Sequence, residues 1–263
     1  MSDGYARWLI AKGNVFAPAA TTVMKFVDKL REEGWILAPG APELAALRFE
    51  DAAAEMARTT GGYAVRTIEN ELDDDDEDAR LVANVEPLPK ELTREWLDDP
   101  SREELRLVWP VSASGKLPVK YPLSLEPEGD VSFTFEIHRA LEYVYPASET
   151  ITPLETLCAC GEELEFEWDE DELIPAFTMS NGIFAECDEC SRTFDPAKGT
   201  ARIEDPFGGG AQEVRGGAAY RFAIKVDCGS RFVEDKRLAF APELVAFVEK
   251  ELGRNFYEVG TLY

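Results

Sequence analysis

The chain has 263 residues, 45% of them hydrophobic, which is enough apolar material for one large domain or two smaller ones. Its 52 Asp and Glu residues outnumber its 27 Lys and Arg residues, so the formal net charge is -25 at pH 7. This charge argues against nucleic acid and against an anionic membrane surface as partners, because both interactions need clustered cations. A salt-adapted habitat or a lineage bias in composition would produce the same acidic excess.

The sequence contains no recognisable targeting or membrane segment. No apolar run reaches the length of about 18 residues that a membrane helix needs. No charged and then apolar leader precedes the first predicted element. We therefore expect a soluble cytoplasmic protein whose cysteines are reduced.

The first predicted elements are a strand, a helix and a second strand. Residues 5–12 are rich in aromatic and branched side chains, which favours a strand. Pro18 is typical of a first helical turn, and the helix predicted after it ends near Gly34. The apolar positions of this helix recur at helical spacing and are Val23, Phe26, Val27 and Leu30. The Trp-Ile-Leu run at residues 35–37 predicts the second strand.

A run of acids follows the next two predicted elements. Residues 42–58 are Ala-rich and predicted to be helical, and residues 63–68 are predicted to form a strand. Residues 69–78 carry eight acids and no base, which is typical of a solvated loop. A calcium site is the alternative for this run, but the glycine and glutamate spacing of an EF-hand does not occur there.

The longest β-like run of the chain covers residues 131–145, and we predict it to be the central strand, or a hairpin pair, of the main sheet. Its apolar and polar side chains alternate, with Phe133, Phe135 and Ile137 on one face and Thr134, Glu136 and His138 on the other. His138 beside Glu136 is therefore expected to face solvent. The elements predicted before this run are strands at residues 81–85, 105–111 and 119–125 and a short helix at residues 91–97.

The C-terminal region repeats the predicted order of the N-terminal region. Residues 220–226 are predicted as a strand, and Phe240-Ala241-Pro242 matches Phe16-Ala17-Pro18 before a helix that ends at Gly253. Duplication and a common order of strand, Pro-initiated helix and glycine stop both explain this match. Either origin predicts an α+β fold, with a mixed β-sheet body and a few helices. The five glycines of residues 205–217 predict a flexible link.

Four of the five cysteines form two close pairs. Cys158 and Cys160 stand in Cys-x-Cys-Gly, and Cys187 and Cys190 stand in Cys-x-x-Cys. An Asn-Gly turn at residues 181–182 predicts a hairpin that brings the two pairs together. This arrangement, over residues 154–196, resembles a zinc ribbon. The resemblance implies a structural zinc ion that is held by the four thiolates in an inserted β-hairpin lobe.

The first pair departs from the zinc-ribbon spacing, because one residue separates Cys158 from Cys160 and a usual knuckle has two. Residues two apart in an extended chain point the same way, so both sulfurs can still reach one ion. Cys228 is the alternative fourth ligand in place of Cys158. Buried unligated cysteines, two disulfides and a redox Cys-x-Cys pair are the other interpretations of the pattern.

The acidity of the cysteine region indicates the kind of partner that it would bind. Residues 155–189 contain twelve acids and no Lys or Arg. We expect such a lobe to repel nucleic acid and to dock a protein with a basic surface, which makes the chain an adaptor or accessory protein. The alternative is an acidic immunity or decoy protein that neutralises a basic nuclease or another nucleic-acid-binding protein.

Catalysis has little support in the sequence. His138 is the single histidine and Cys228 the single unpaired cysteine, and no motif places these two candidate catalytic residues together. Four cysteine ligands imply a closed structural site, whereas a catalytic zinc keeps an open position.

The predicted domain division follows these motifs. It comprises an N-terminal strand-helix-strand region at residues 1–68, an acidic loop at 69–79, a main body at 80–152 and 211–263, and a zinc-ribbon-like insertion at 153–204.

Overall fold

The fold is described from a computed structural model of the chain. The described residues are 5–12, 16–42, 57, 59–68, 82–100, 105–113, 119–124, 131–139, 142–144, 155–163, 187–192, 200–204, 211–215, 218–228 and 239–262. Three helices lie within them: α1 (Ala20–Glu32), α2 (Arg94–Leu97) and α3 (Pro242–Leu252). The strands are β1 (Tyr5–Ala11), β2 (Tyr63–Ile68), β3 (Val82–Pro87), β4 (Leu105–Ala113), β5 (Val131–Arg139), β6 (Glu142–Val144), β7 (Glu155–Leu157), β8 (Thr200–Glu204), β9 (Ala211–Arg215), β10 (Ala218–Tyr220), β11 (Ala223–Asp227) and β12 (Phe256–Leu262).

Seven of these strands form one antiparallel sheet in the order β12-β1-β11-β5-β4-β2-β3. The α+β fold class predicted from the sequence is confirmed, and β5 is the central strand. The N-terminal strand β1 pairs with β11 and β12, so the two ends of the chain meet in the same sheet.

The helices cover one face of this sheet. The predicted helical spacing is confirmed, because the buried positions of α1 are Ala20, Val23, Phe26, Val27 and Leu30. Phe26 bridges the layers, with its ring centroid 6.4 Å from that of Phe222 and 5.9 Å from that of Phe247 on α3. The C-terminal helix ends as predicted at Gly253, which has a φ of 65°. Glycine tolerates this left-handed conformation, which terminates helices.

A two-stranded sheet of β6 and β10 extends the β5–β11 pair beyond its end. We call these two strands the neck, because the chain leaves the main sheet through β6 and returns to it through β10. Tyr220 and Val144 of the neck belong to a second apolar cluster, which also contains Ile10, Ala223, Tyr257 and Val259. Both faces of the sheet are therefore partly covered.

The segment between the neck strands contains a three-stranded sheet in the order β7-β8-β9 and both cysteine pairs. We call these strands, together with residues 155–163 and 187–192, the cysteine lobe. Residues Ala211–Arg215 of the predicted flexible link form β9 instead of a link. The Asn-Gly hairpin, the acidic run at residues 69–78 and most of the predicted helix at 42–58 lie outside the described residues, and the predicted domain division stays a prediction.

Two predicted strands are wrong. Residues 35 and 36 are bends and residue 37 is irregular, although Trp35, Ile36 and Leu37 are all buried. Residues 119–124 contribute a single bridge between Leu123 and Phe240. The segments are held by isolated backbone bonds, such as that from the Lys120 N–H to the Gly34 carbonyl at 2.7 Å. Short apolar runs occur in buried irregular segments as well as in strands. The apolar composition of these two segments therefore did not distinguish the two structures.

Within the described part of the chain, no helix combines the length and the apolar character that a membrane span requires.

Candidate metal centre

The first cysteine pair lies in a tight turn that follows β7. The backbone N–H of Cys158 donates to the carbonyl of Glu162 at 2.8 Å, and the N–H of Gly161 donates to the carbonyl of Cys158 at 2.8 Å. Gly161 has a φ of 96°, which a residue with a Cβ would adopt only with strain. The glycine after the second cysteine therefore allows the chain to close the turn around both sulfurs.

The second pair forms a corresponding turn. The Cys187 N–H donates to the carbonyl of Arg192 at 3.0 Å, and the Ser191 N–H donates to the carbonyl of Cys187 at 2.8 Å. Ser191 has a φ of 50°. Each turn thus places a left-handed residue directly after its second cysteine, Gly161 in one case and Ser191 in the other. We refer to residues 157–163 and 187–192 as the two knuckles.

The four predicted ligand sulfurs come together. The Sγ atoms of Cys158, Cys160, Cys187 and Cys190 all lie within 4.8 Å of one another. Cys158 Sγ is 3.8 Å from Cys190 Sγ, and Cys160 Sγ is 3.7 Å from Cys187 Sγ. A tetrahedral ion with metal–sulfur bonds of about 2.3 Å requires sulfur–sulfur edges of about 3.8 Å. The cysteines are free and far from the separation of about 2.05 Å that a disulfide has.

Backbone donors around the sulfurs favour the thiolate form that a metal requires. The backbone N–H groups of Cys190 and Glu189 donate to the Cys187 sulfur and lower the pKa of Cys187 to about 7, although burial acts in the opposite direction. The N–H of Cys160 likewise lowers the pKa of Cys158, but burial and contact with the other thiols outweigh it and raise this pKa to about 12. Contact with the other thiols thus favours the protonated form of Cys158, and a bound cation would replace this proton.

Carboxylates surround the sulfurs at the surface. Glu162 and Glu163 are exposed on the first knuckle, and Asp188 and Glu189 are exposed on the second. Arg192 is the one cationic residue on the two knuckles, and it is exposed as well. The surface around the sulfurs therefore carries a net negative charge.

Cys228 lies in a different environment from the four clustered cysteines. It is 4% exposed in the main core between the sheet and the helices. Burial is the main cause that raises the pKa of Cys228 to about 12, against a hydrogen bond with Tyr121 that lowers it. Cys158, and not Cys228, is therefore the fourth cysteine of the cluster.

His138 is buried, so its predicted solvent-facing position is wrong. It is 3% exposed, and its ring centroid lies 4.8 Å from that of Trp8. Its Nε2 lies 2.8 Å from Glu136 Oε2, and its Nδ1 lies 3.4 Å from the Tyr220 hydroxyl of the neck. Strand alternation placed His138 on the correct face, but it does not reveal that the neck covers this face.

The buried Glu136 carboxylate is stabilised by the groups that face it. Burial alone would raise its pKa, but the hydrogen bond from His138, the charge of Lys225 and a 2.7 Å hydrogen bond from Thr134 lower the pKa of Glu136 to about 2. Lys225 is the register partner of Glu136 on β11. The Glu136 carboxylate therefore stays ionised at neutral pH although it is buried.

We expect Glu136→Gln to destabilise the protein by on the order of 3 kcal/mol at pH 7, because the lowered pKa reflects interactions that the carboxylate makes only in the folded state. Since the folded pKa lies below the unfolded value of 4.5, this contribution is complete above pH 4.5 and disappears as the pH falls towards 2. Urea unfolding between pH 2 and 7 measures it. Glu95→Gln, at an exposed position of α2, is the control, and equal losses in both variants would contradict the assignment.

The comparisons with known proteins give no relative for this chain, since no family model, curated protein or solved structure matches it. The assignment of the site depends on its geometry. The role of Ser191 was not predicted from the sequence: its left-handed backbone occupies the position that Gly161 occupies after the first pair. Its position directly after Cys-x-x-Cys was the available signal.

Proposed function

We propose that Cys158, Cys160, Cys187 and Cys190 hold one structural zinc ion, and that the protein is an acidic adaptor or accessory protein whose cysteine lobe docks a partner with a basic surface. The observation that carries the metal assignment is the sulfur geometry, with contacts of 3.7 and 3.8 Å between the knuckles. These distances match the edges of a tetrahedral thiolate site.

Zinc is the ion that the donor set fits best. Four thiolates in tetrahedral arrangement hold zinc or iron, and the softness of sulfur disfavours magnesium and calcium. Four protein ligands leave no open position, so the ion would fasten the two knuckles and would not activate water. The site thus supports a structural role.

The charge of the lobe supports the kind of partner that we propose. Four exposed carboxylates lie on the knuckles, within a stretch of twelve acids between residues 155 and 189, and Arg192 follows that stretch. Long-range attraction would accelerate encounter with a basic protein and would weaken as salt increases. A decoy would need negative charge spread over one surface at phosphate-like spacing, whereas an adaptor needs only a local acidic face, such as the four exposed carboxylates on the knuckles provide.

Elemental analysis of the full chain after gentle purification tests the metal assignment. We expect one zinc per chain in the native protein and in Cys228→Ser, and a loss of most of the zinc in Cys187→Ser. One iron per chain would identify the ion as iron instead of zinc. Equal loss of metal in Cys228→Ser and Cys187→Ser would place Cys228 in the site. Substoichiometric metal in the native protein would overturn the proposal.

A pull-down on the full chain, with and without chelator, tests the docking role. We expect a basic protein to be retained at low salt, and its retention to fall when the metal is removed. Tight and salt-sensitive binding of duplex or single-stranded nucleic acid instead would contradict the proposed partner.

A further inference from the structure

The four clustered cysteine residues differ in their exposure to solvent. Cys160 is exposed and Cys190 is half-buried, whereas Cys158 is 8% exposed and Cys187 is 1% exposed. A dissolved reagent therefore meets Cys160 first. The sulfur of Cys187 lies 3.7 Å away, and this contact runs between the two knuckles.

In such an arrangement one cysteine can be oxidised, and the second can then attack the oxidised sulfur to form a disulfide. A reactive cysteine is accessible and has thiolate character, and a resolving cysteine lies close enough to attack it. Closing a disulfide would require the sulfurs of Cys160 and Cys187, now 3.7 Å apart, to approach by about 1.7 Å. The sulfurs of Cys158 and Cys190, 3.8 Å apart, form a second contact between the two knuckles.

We propose that a small, uncharged peroxide oxidises this centre at Cys160, that a disulfide forms between Cys160 and Cys187, and that the metal is released. The inference rests on the proposed metal site, and it adds a redox control of that site. The knuckles stay joined by the disulfide after the ion has left, so oxidation would convert a metal-fastened lobe into a covalently fastened one.

The chemistry balances with one hydrogen peroxide. The Cys160 thiolate attacks one peroxide oxygen, so that a sulfur–oxygen bond forms, the oxygen–oxygen bond breaks and hydroxide leaves as water after protonation. Cys160 is now a sulfenic acid. The Cys187 thiolate attacks its sulfur, the sulfur–sulfur bond forms, and the second hydroxide leaves as water. Two thiolates are oxidised and one peroxide is reduced, and the two remaining cysteines are too few to hold the ion.

The charge around the site selects the class of oxidant. Glu162, Glu163, Asp188 and Glu189 are exposed on the knuckles, with Arg192 as the one opposing charge. An anionic oxidant such as oxidised glutathione is repelled by this field, whereas a neutral peroxide is not. The lobe would thus respond to peroxide before it responds to the glutathione pool.

The test uses the zinc-loaded full chain, a chromogenic chelator that reports released zinc, and peptide mapping of the disulfides. We expect one equivalent of hydrogen peroxide to release the zinc and to produce the Cys160–Cys187 disulfide. A thiol reductant with added zinc should restore the starting state. Oxidised glutathione at the same concentration should release zinc at least roughly tenfold more slowly.

Two variants make this test specific. Cys228→Ala removes the one cysteine outside the cluster and should leave zinc release unchanged. The double change of Asp188→Asn and Glu189→Gln should increase the rate with oxidised glutathione and leave the rate with peroxide unchanged. Zinc that stays bound after several equivalents of peroxide, or a disulfide between Cys158 and Cys160, would overturn the inference. A chain that carries no metal before oxidation would instead contradict the proposed metal site.

Discussion

Removal of the metal should unfold the cysteine lobe and leave the seven-stranded sheet folded. On the two knuckles, the buried side chains are those of Cys158 and Cys187, so little apolar surface holds these turns together. Structural zinc supplies folding free energy on the order of 10 kcal/mol in modules of this kind. The main sheet has its own core of buried side chains on both faces, and it does not depend on the ion.

Hydrogen exchange before and after chelation measures this separation. The amides of Cys158 and Cys187, which donate to carbonyls within their own knuckles, should lose protection by at least about a hundredfold. The amides of β5, which lies between β4 and β11, should keep theirs. Cys228→Ser with its metal bound serves as the control. Loss of protection throughout the chain would show that the lobe and the sheet fold as one unit.

Phe26→Ala should destabilise the main body by about 3–5 kcal/mol, which is a large share of the stability of an ordinary domain. Phe26 is 2% exposed, and its ring contacts Phe222 beside the sheet and Phe247 on α3. Truncation would leave a cavity where the two helices and the sheet meet. Both the lost transfer free energy and the cavity then reduce stability.

Equilibrium unfolding in urea, followed by tryptophan fluorescence and by circular dichroism, gives the free energy of this change. Lys25→Ala, at the exposed neighbouring position of α1, should shift stability by less than about 0.5 kcal/mol. Metal content should be the same in both variants, since neither residue lies in the cysteine lobe. A loss below about 1 kcal/mol for Phe26→Ala would mean that the helical layer contributes little to the core.

Elements whose signals are local were predictable from the sequence. The spacing of Val23, Phe26 and Leu30 identified the buried stripe of α1, and the alternation in residues 131–139 identified β5 and both of its faces. The two cysteine pairs indicated a common site because two close pairs of cysteines in one segment are the usual ligand pattern of a zinc site. The helical stripe, the strand alternation and each single cysteine pair are all short-range patterns in the sequence.

Features that depend on distant parts of the chain were not predictable. The run at residues 35–37 is buried without pairing as a strand, since Trp35 packs against Phe247 and beneath Lys120. His138 is buried because Tyr220, more than eighty residues later, crosses its face of the sheet. Local alternation gives the side of a strand on which a residue lies, but burial depends on what covers that side.

The pairing of Val144 with Ala218 in the neck means that the long excursion of the chain through the cysteine lobe starts and finishes at neighbouring positions. A two-residue turn would span this gap, since hairpins close directly opposed residues in this way. A segment that leaves and re-enters the sheet at adjacent positions can therefore differ in length without changing the spacing of β5 and β11 beneath it.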